Sequence, residues 1–354
     1  MNTGIICEFN PFHKGHKHLI DSVKDDFDAV ICVMSGNLVQ RGEFAVADKF
    51  ERTRTALENG ADLVIELPCV YSLMSAEGFA CNAVKILEAT GVVDRLAFGA
   101  ECADVKALSE TAEKIQGSAD EITLEMKKGV SYPTARKNII GDDILDSPNN
   151  ILAIEYIKST SLPCVAVKRI GKGHDTDDVN YSASAIREKM NIDEIHSLKS
   201  CERAVLAKLR TMSRDDFLKI EDVNEGLENR IVQAVMTATS LEDLYDKIKT
   251  KRYTHSRIRR IVLRSYLGIT RDYSFEPPYI RILGFNSKGR EILKDIKKKS
   301  KLPVFTRYAD VKQLDDNATA LFELESRCTD LYNLGCAIPK PCGLEKTSQI
   351  IIIK

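Results

Sequence analysis

Between residues 4 and 169 the chain repeats one pattern: a short, almost uninterrupted apolar run, then a longer stretch with apolar residues at helical spacing. The runs are GIICEF (4–9), AVICVM (29–34), DLVIEL (62–67), RLAFGA (95–100) and CVAVKR (164–169). A strand with one wet face alternates polar and apolar residues; these do not, so both of their faces must be covered. The stretches 14–24, 46–59, 73–89, 103–116 and 149–158 supply that cover as helices, the last opening on cap-type asparagines. Strands alternating with helices predict a doubly wound, Rossmann-like parallel sheet of the α/β class. Ligands of such sheets bind beyond the carboxyl ends of the strands.

From about 190 to 270 the helical periodicity continues with almost no strand signal, as in AVLAKLRTM and LENRIVQAVMTA. Then come Pro277 and Pro278, the run YIRILGFNSKGREILKDIKKKSK, a strand candidate LPVFTRYA (302–309) and a closing QIIIIK, read as a strand or a tail packed on the body. The expected organisation is an α/β domain over 1–190 followed by a mainly α-helical domain over 191–354. A length of 354 residues fits two such units, and 44% hydrophobic residues suffice for real cores. No apolar run approaches the ~18 residues needed to span a bilayer. Nor does the N-terminus read as a secretory signal, so a cytoplasmic protein without a membrane role is expected. Ten cysteines without a C-x-x-C pair read as reduced core thiols, and Cys328, Cys336 and Cys342 lack the close pairing or histidines of a metal site. A formal charge of −1 means that any nucleic-acid partner needs a local basic patch.

The first strand runs into FNPFHKGHKHL, residues 9 to 19. A helix starting here offers free N–H groups and a partial positive charge to phosphate. Gly15 lets a charged group approach the backbone, and His13 and His16 can donate hydrogen bonds that strengthen as charge builds in a transition state. A zinc site from His13, His16 and His18 is disfavoured, because Gly15 breaks the helical presentation such ligands use. A second element, VNYSASAIREKM (179–190), follows the last strand. Ser182 and Ser184 in cap-like positions and Arg187 in the first turn make a second phosphate clamp. A third, SGNLVQRGEFAVADKFER (35–52), follows strand two. Its Ser35, Gly36, Asn37, Gln40, Arg41, Asp48 and Lys49 read either as a polar loop entering a capped helix or as an acetate or nucleotide contact.

The H-x-G-H after strand one, paired with S-x-S-x-x-R after the last strand, resembles the nucleotidylyltransferase superfamily. More narrowly, GIICEFNPFHKGH, MSGNLVQRGEFAVADKFERT, GADLVIELP, FGAE, SPNNILAIEY, KRIGKGHDTDD and YSASAIR occur in an order similar to the tRNA(Met) cytidine acetate ligase family. The resemblance covers most of residues 3 to 190. It implies that ATP and acetate give acetyl-adenylate and pyrophosphate, and that the acetyl group passes to the exocyclic amine of the wobble cytidine of elongator methionine tRNA. It places ATP on Ile6, Cys7, Glu8, Phe9, Asn10, Pro11, Phe12, His13, Lys14, Gly15, His16, Lys17, His18 and Leu19, and on Gly99, Asn150 (or its neighbour Asn149) and Arg169. The expected catalytic group is His13, His16, Ser184 and Arg187, with magnesium accompanying ATP and no protein partner evident. Lys14 stands where the family has a small polar residue, and Cys7 at a strand position often apolar.

Residues 247–264, KIKTKRYTHSRIRRIVLR, carry eight Lys and Arg and no carboxylate. Lys251, Arg252, Arg257, Arg259 and Arg260 read as contacts to an RNA backbone, with Tyr253 placed to stack on a base. The run KDIKKKSK (294–301) reads as a solvated face. Two other functions fit the same residues: a nucleotidylyltransferase acting on a small molecule, and a non-catalytic RNA-binding protein with a regulatory nucleotide site.

Overall fold

The structure, a computed structural model, describes residues 1–25, 28–170, 183–191, 194–224, 226–273 and 275–354. Its strands are β1 (Asn2–Cys7), β2 (Ala29–Ser35), β3 (Leu38–Val39), β4 (Glu43–Phe44), β5 (Leu63–Leu67), β6 (Arg95–Ala100), β7 (Cys164–Lys168), β8 (Ile280–Phe285), β9 (Val304–Phe305) and β10 (Ile351–Ile352). The main sheet has the order β10-β8-β5-β2-β1-β6-β7, with β9 on β8, while β3 and β4 form a separate hairpin. The five strands read from the apolar runs pair in parallel as β5-β2-β1-β6-β7. Each is apolar on both faces because successive residues enter different cores. Ile5, Cys7, Val30, Cys32 and Val64 pack with Ile20, Val23, Ala56 and Leu57 on one side. Ile6, Ile31, Val33, Leu63 and Ile65 pack with Phe79, Ala83 and Leu87 on the other.

Local chemistry sets the helix boundaries within a few residues of expectation. Asp48 caps the helix Lys49–Glu58, Ser75 the helix Ala76–Ala89 and Asp104 the helix Val105–Gly117, each accepting main-chain N–H groups of the first turn. The helix Pro148–Ser159 begins at Ser147, so Asn149 and Asn150 lie inside its first turn rather than capping it. Two helices, Ala119–Met126 and Tyr132–Ile140, stand where no element was expected.

Beyond residue 190 the chain is mainly helical, as read, but it returns to the sheet. β8 pairs antiparallel with β5, and β9 and β10 pair with β8. β8 escaped the sequence reading because its six buried residues sit in a longer run with helix-forming neighbours. The lysine-rich run 294–301 lies on and just past the helix Ser287–Lys299, with Lys294 on Glu291 and Lys298 near Asp295, a solvated face.

A buried charge cluster fastens this return. Lys49, Glu66, Arg281, Glu325 and Glu345 are all at most 6% exposed. Lys49 bonds Glu66, lies 2.6 Å from Glu345 and reaches Glu325 at 3.3 Å. Arg281 on β8 pairs with Glu66 at 2.9 Å and Glu345 at 2.6 Å. Three carboxylates face two cations, and burial pushes the Glu66 carboxyl up to about 7. Glu345 goes the other way: burial would raise it, but Arg281 and Lys49 hold it well below the carboxylate range. Lys49 is thus a structural cation, not a ligand contact. Replacing it by Met should lower stability by about 3–5 kcal/mol, the scale for stripping one partner from a buried ion cluster. A urea-melt midpoint left unmoved would contradict this.

Candidate active site

β1 ends where Phe9 takes a left-handed φ of 46°, an uncommon conformation for a bulky residue, held by a side chain only 1% exposed. The chain turns there through a cis Asn10–Pro11 peptide and enters the helix Lys14–Val23 with His13 as its cap. The Nδ1 of His13 accepts the N–H of Gly15 at 3.1 Å, and the Nδ1 of His16 accepts the N–H of His13 at 3.3 Å. A main-chain N–H can only donate, so both Nδ1 atoms bear lone pairs and both neutral rings carry their proton on Nε2. The rings stack at 3.7 Å between centroids, and Phe9 meets His16 edge-on at 4.9 Å. Burial, with Arg169 next in strength, lowers the His13 pKa to about 4. Burial, with His13 and Arg169, holds His16 well below its usual value. Two neutral N–H donors therefore stand side by side at the end of β1.

Around them lies a cavity at the carboxyl edge of β1, β6 and β7, open to solvent. Ile6, Cys7, Glu8, Phe9, Asn10, His13, Gly15, His16, His18 and Leu19 line it, as do Gly99, Arg169, Ser184 and Arg187. A Cβ on Gly99 would meet only the Arg169 side chain at 3.5 Å, so the room beside it is open to a ligand. Arg187 reaches the turn after β1, donating to the Asn10 carbonyl at 2.6 Å and to the Ser184 hydroxyl at 3.3 Å. Ser184 lies within the first turn of the helix Ala183–Lys189; Ser182 and Gly171–Asp178 of the KRIGKGHDTDD motif lie outside the described residues.

Several expected contacts are elsewhere. Pro11, Phe12, Lys14 and Lys17 are not on the cavity wall, and Lys17 pairs with Asp21 at 2.5 Å. Asn150 is buried and spans Cys102 N–H and Ile144 C=O, whereas Asn149 lines the cavity and donates to Glu101 at 2.5 Å. The two residues share a helix turn, and which one faces the cavity was not readable from their order. In the 35–52 segment, Asn37 and Lys49 are interior, Asn37 accepting Lys49 N–H and donating to Thr329, and Asp48 is the helix cap. Gln40 and Arg41, at the tip of the β3–β4 hairpin, do reach the cavity. Sequence reasoning missed Val39, Phe79 and Tyr156 on its wall, for want of any polar signal.

The hairpin is braced from three sides. Gln40 N–H donates to Glu8 Oε1 at 2.7 Å, Gln40 Nε2 to the Met74 carbonyl at 3.2 Å, and Glu43 pairs with Arg259 at 2.5 Å. Gly42 has φ +78° with the backbone of Arg259 and Arg260 pressed against it, 2.5 Å from where a Cβ would sit. This corrects part of the expected RNA surface. Arg260 is 6% exposed beside Asp222, and Tyr253 is 6% exposed with the Arg257 guanidinium over its ring. Neither is available to a nucleic acid. Arg257 bonds Asp222 and Asn224. Lys251 is exposed and Arg252 half-exposed on the turn before the helix His255–Leu267.

Among the described residues no three His, Cys, Asp or Glu side chains converge as metal ligands, and no helix is long and apolar enough to cross a membrane. Among the described acids that line the cavity, Glu43 pairs with Arg259 and one oxygen of Glu8 accepts the Gln40 N–H.

Residues 1–205 and 188–342 match the HIGH Nucleotidyl Transferase family. The tRNA(Met) cytidine acetate ligase of Clostridium kluyveri is 38% identical over 392 residues, covering 94% of each chain. That of Acetivibrio thermocellus is 38% identical over 99% of each chain. Thermotoga maritima TmcAL bound with alpha-thio ATP is similar in structure with a TM-score of 0.87 at 31% identity, and the apo form with 0.89 at 32%, each over 99% of both chains.

Because the His13 pKa falls from 6.5 to about 4, the unfolded chain takes up a proton in that window that the folded chain refuses. Stability should therefore decline as pH drops from about 6.5 toward 4. Carbon-detected NMR of the imidazole should show His13 still neutral, as the Nε2–H tautomer, at pH values where a free histidine is half charged; a midpoint near the ordinary value would contradict the geometry.

Proposed function

Since the chain belongs to the HIGH nucleotidyl transferase family, and its relatives are tRNA(Met) cytidine acetate ligases, we propose that it activates acetate with ATP and acetylates the wobble cytidine of methionine tRNA. The observation that carries this is the pair of stacked neutral imidazoles, each with its Nε2–H unbonded among the described residues, lining one cavity together with Ser184 and Arg187.

Acetate attacks the α-phosphorus of ATP, forming acetyl-adenylate and releasing pyrophosphate. Donors that are neutral hold a triphosphate without an added permanent charge to retain the product, and their hydrogen bonds strengthen as charge builds. Arg169, Ser184 and Arg187 hold the phosphates; Gly99 leaves room for the nucleoside. Acetate is proposed to use Phe79 for its methyl group and Arg41 for its carboxylate, both on the cavity wall. Among the described residues no three metal-ligating side chains converge, so magnesium is assigned to the triphosphate that carries it in, and no step is routed through it. The cytidine amine then attacks the mixed anhydride and AMP leaves. An anticodon base is already outside a duplex, which lowers the cost of bringing it into the cavity. The tRNA is proposed to contact the turn bearing Lys251 and Arg252, without Tyr253 and Arg260.

The decisive experiment incubates the protein with ATP, labelled acetate and total tRNA and locates the label by nucleoside analysis. Label in N4-acetylcytidine is expected; a nucleotidyl group retained on a small molecule, or no acetate-dependent exchange of pyrophosphate into ATP, would contradict the proposal. His16→Ala should slow exchange about 100-fold or more, the scale for losing one transition-state donor. Reversing Lys251 and Arg252 to Glu should weaken tRNA binding at low salt while leaving exchange unchanged. Undiminished tRNA affinity would remove that turn from the interface.

A further inference from the structure

Forming an amide from cytidine's exocyclic amine releases a proton, and the cavity's groups differ in whether they can take it. Neither imidazole is suited to the task. The Nδ1 atoms of His13 and His16 are engaged by the N–H groups of Gly15 and His13, and the Nε2 atoms already bear protons. The Cys7 thiol and the Tyr156 hydroxyl are held protonated by burial. Glu43 is neutralised by Arg259.

Glu8 is different. It sits one residue past β1 and lines the cavity. One oxygen accepts the Gln40 N–H at 2.7 Å, which fixes the direction of the group; the other has no hydrogen-bond partner, and the side chain has no ion pair, among the described residues. Its charged surroundings come from each packed element: Arg52 from the helix Lys49–Glu58, Arg41 from the hairpin and Arg187 from the helix Ala183–Lys189. Burial raises its pKa above the usual carboxylate value against the lowering effect of the Gln40 N–H and these three guanidinia, which makes it a better proton acceptor than a surface glutamate. His18 also lines the cavity, but no hydrogen bond to its ring from another described residue orients it.

We propose that Glu8 is the catalytic base of the second half-reaction: its free carboxylate oxygen takes the proton from the cytidine N4 amine as that nitrogen attacks the acetyl carbon. The C–N bond forms, the bond from the acetyl carbon to the phosphate oxygen breaks, AMP leaves with the electron pair, and the proton passes from Glu8 to solvent. This rests on the acetate-ligase reading above and adds a role to it. Adenylation involves no proton removal, since acetate attacks as an anion, so the two half-reactions separate the base from a residue that merely shapes the cavity.

The test is Glu8→Gln. The amide oxygen can still accept the Gln40 N–H, so the hairpin stays in place while the basic oxygen is lost. Acetyl transfer to tRNA in a single turnover should fall about 100-fold or more, the scale of a lost general base, and by a far larger factor than acetate-dependent pyrophosphate exchange. The acidic limb of the transfer pH profile should vanish with it. Transfer unchanged in Glu8→Gln, or exchange and transfer falling by the same factor, would each overturn the assignment. Exchange failing in the unaltered protein would overturn the acetate-ligase reading itself and this role with it, a result distinct from the other two.

Discussion

Two main-chain N–H groups decide the chemistry of this cavity. By donating to the Nδ1 atoms of His13 and His16 they settle the tautomer of both rings, and the stacked, half-enclosed arrangement keeps both rings neutral. From this follows the direction in which each ring can act: both donate and neither accepts. A site built this way favours a reaction whose transition state gathers negative charge on phosphate oxygens, and it leaves any proton removal to another group. The helix cap and the catalytic donors are one structure, so the first turn cannot be rebuilt without changing the chemistry.

That turn needs a fixed frame, and the frame comes from far along the chain. Glu325 and Glu345 meet Lys49 and Glu66 in the interior, and β8 brings Arg281 to the same place. The helix Lys49–Glu58 carries Arg52, which donates to the carbonyl of Glu8 at 2.5 Å and to that of Ser35 at 3.1 Å. So the C-terminal return, the charge cluster, this helix and the floor of the cavity form a continuous chain of contacts. The β3–β4 hairpin adds a second link, since Gly42 and Glu43 bind it to the helix His255–Leu267. An arginine that looked in sequence like an RNA contact is therefore half of an internal brace.

The parallel sheet was legible because a strand buried on both faces has no way to hide its composition, and RLAFGA was located to the residue. The histidine pair was legible for a similar reason: a strand, a turn with Gly15 and a helix start are local events. Asn149 and Asn150 mark where such reading stops. Both amides are compatible with either role, and only the packing of the helix Pro148–Ser159 against the 101–102 and 144 backbone chooses between them. Charge misled more than polarity did. Arg257, Arg259 and Arg260 form a basic run in one dimension, but their partners Asp222, Asn224 and Glu43 lie 33 to 216 residues away in the sequence.

By itself the amino-acid order determined the elements whose cause is local: apolar runs that must be strands, capping side chains that start helices, and a histidine pair at a strand-to-helix turn. The tertiary structure alone decided which cations are spent on internal carboxylates, which of two adjacent asparagines faces the cavity, and that Glu8 keeps one carboxylate oxygen unbonded among the described residues. The reason is physical: hydrogen bonding along a helix or a turn is set by near neighbours, whereas solvation and pairing of a charge depend on whatever the folded chain brings within a few ångströms.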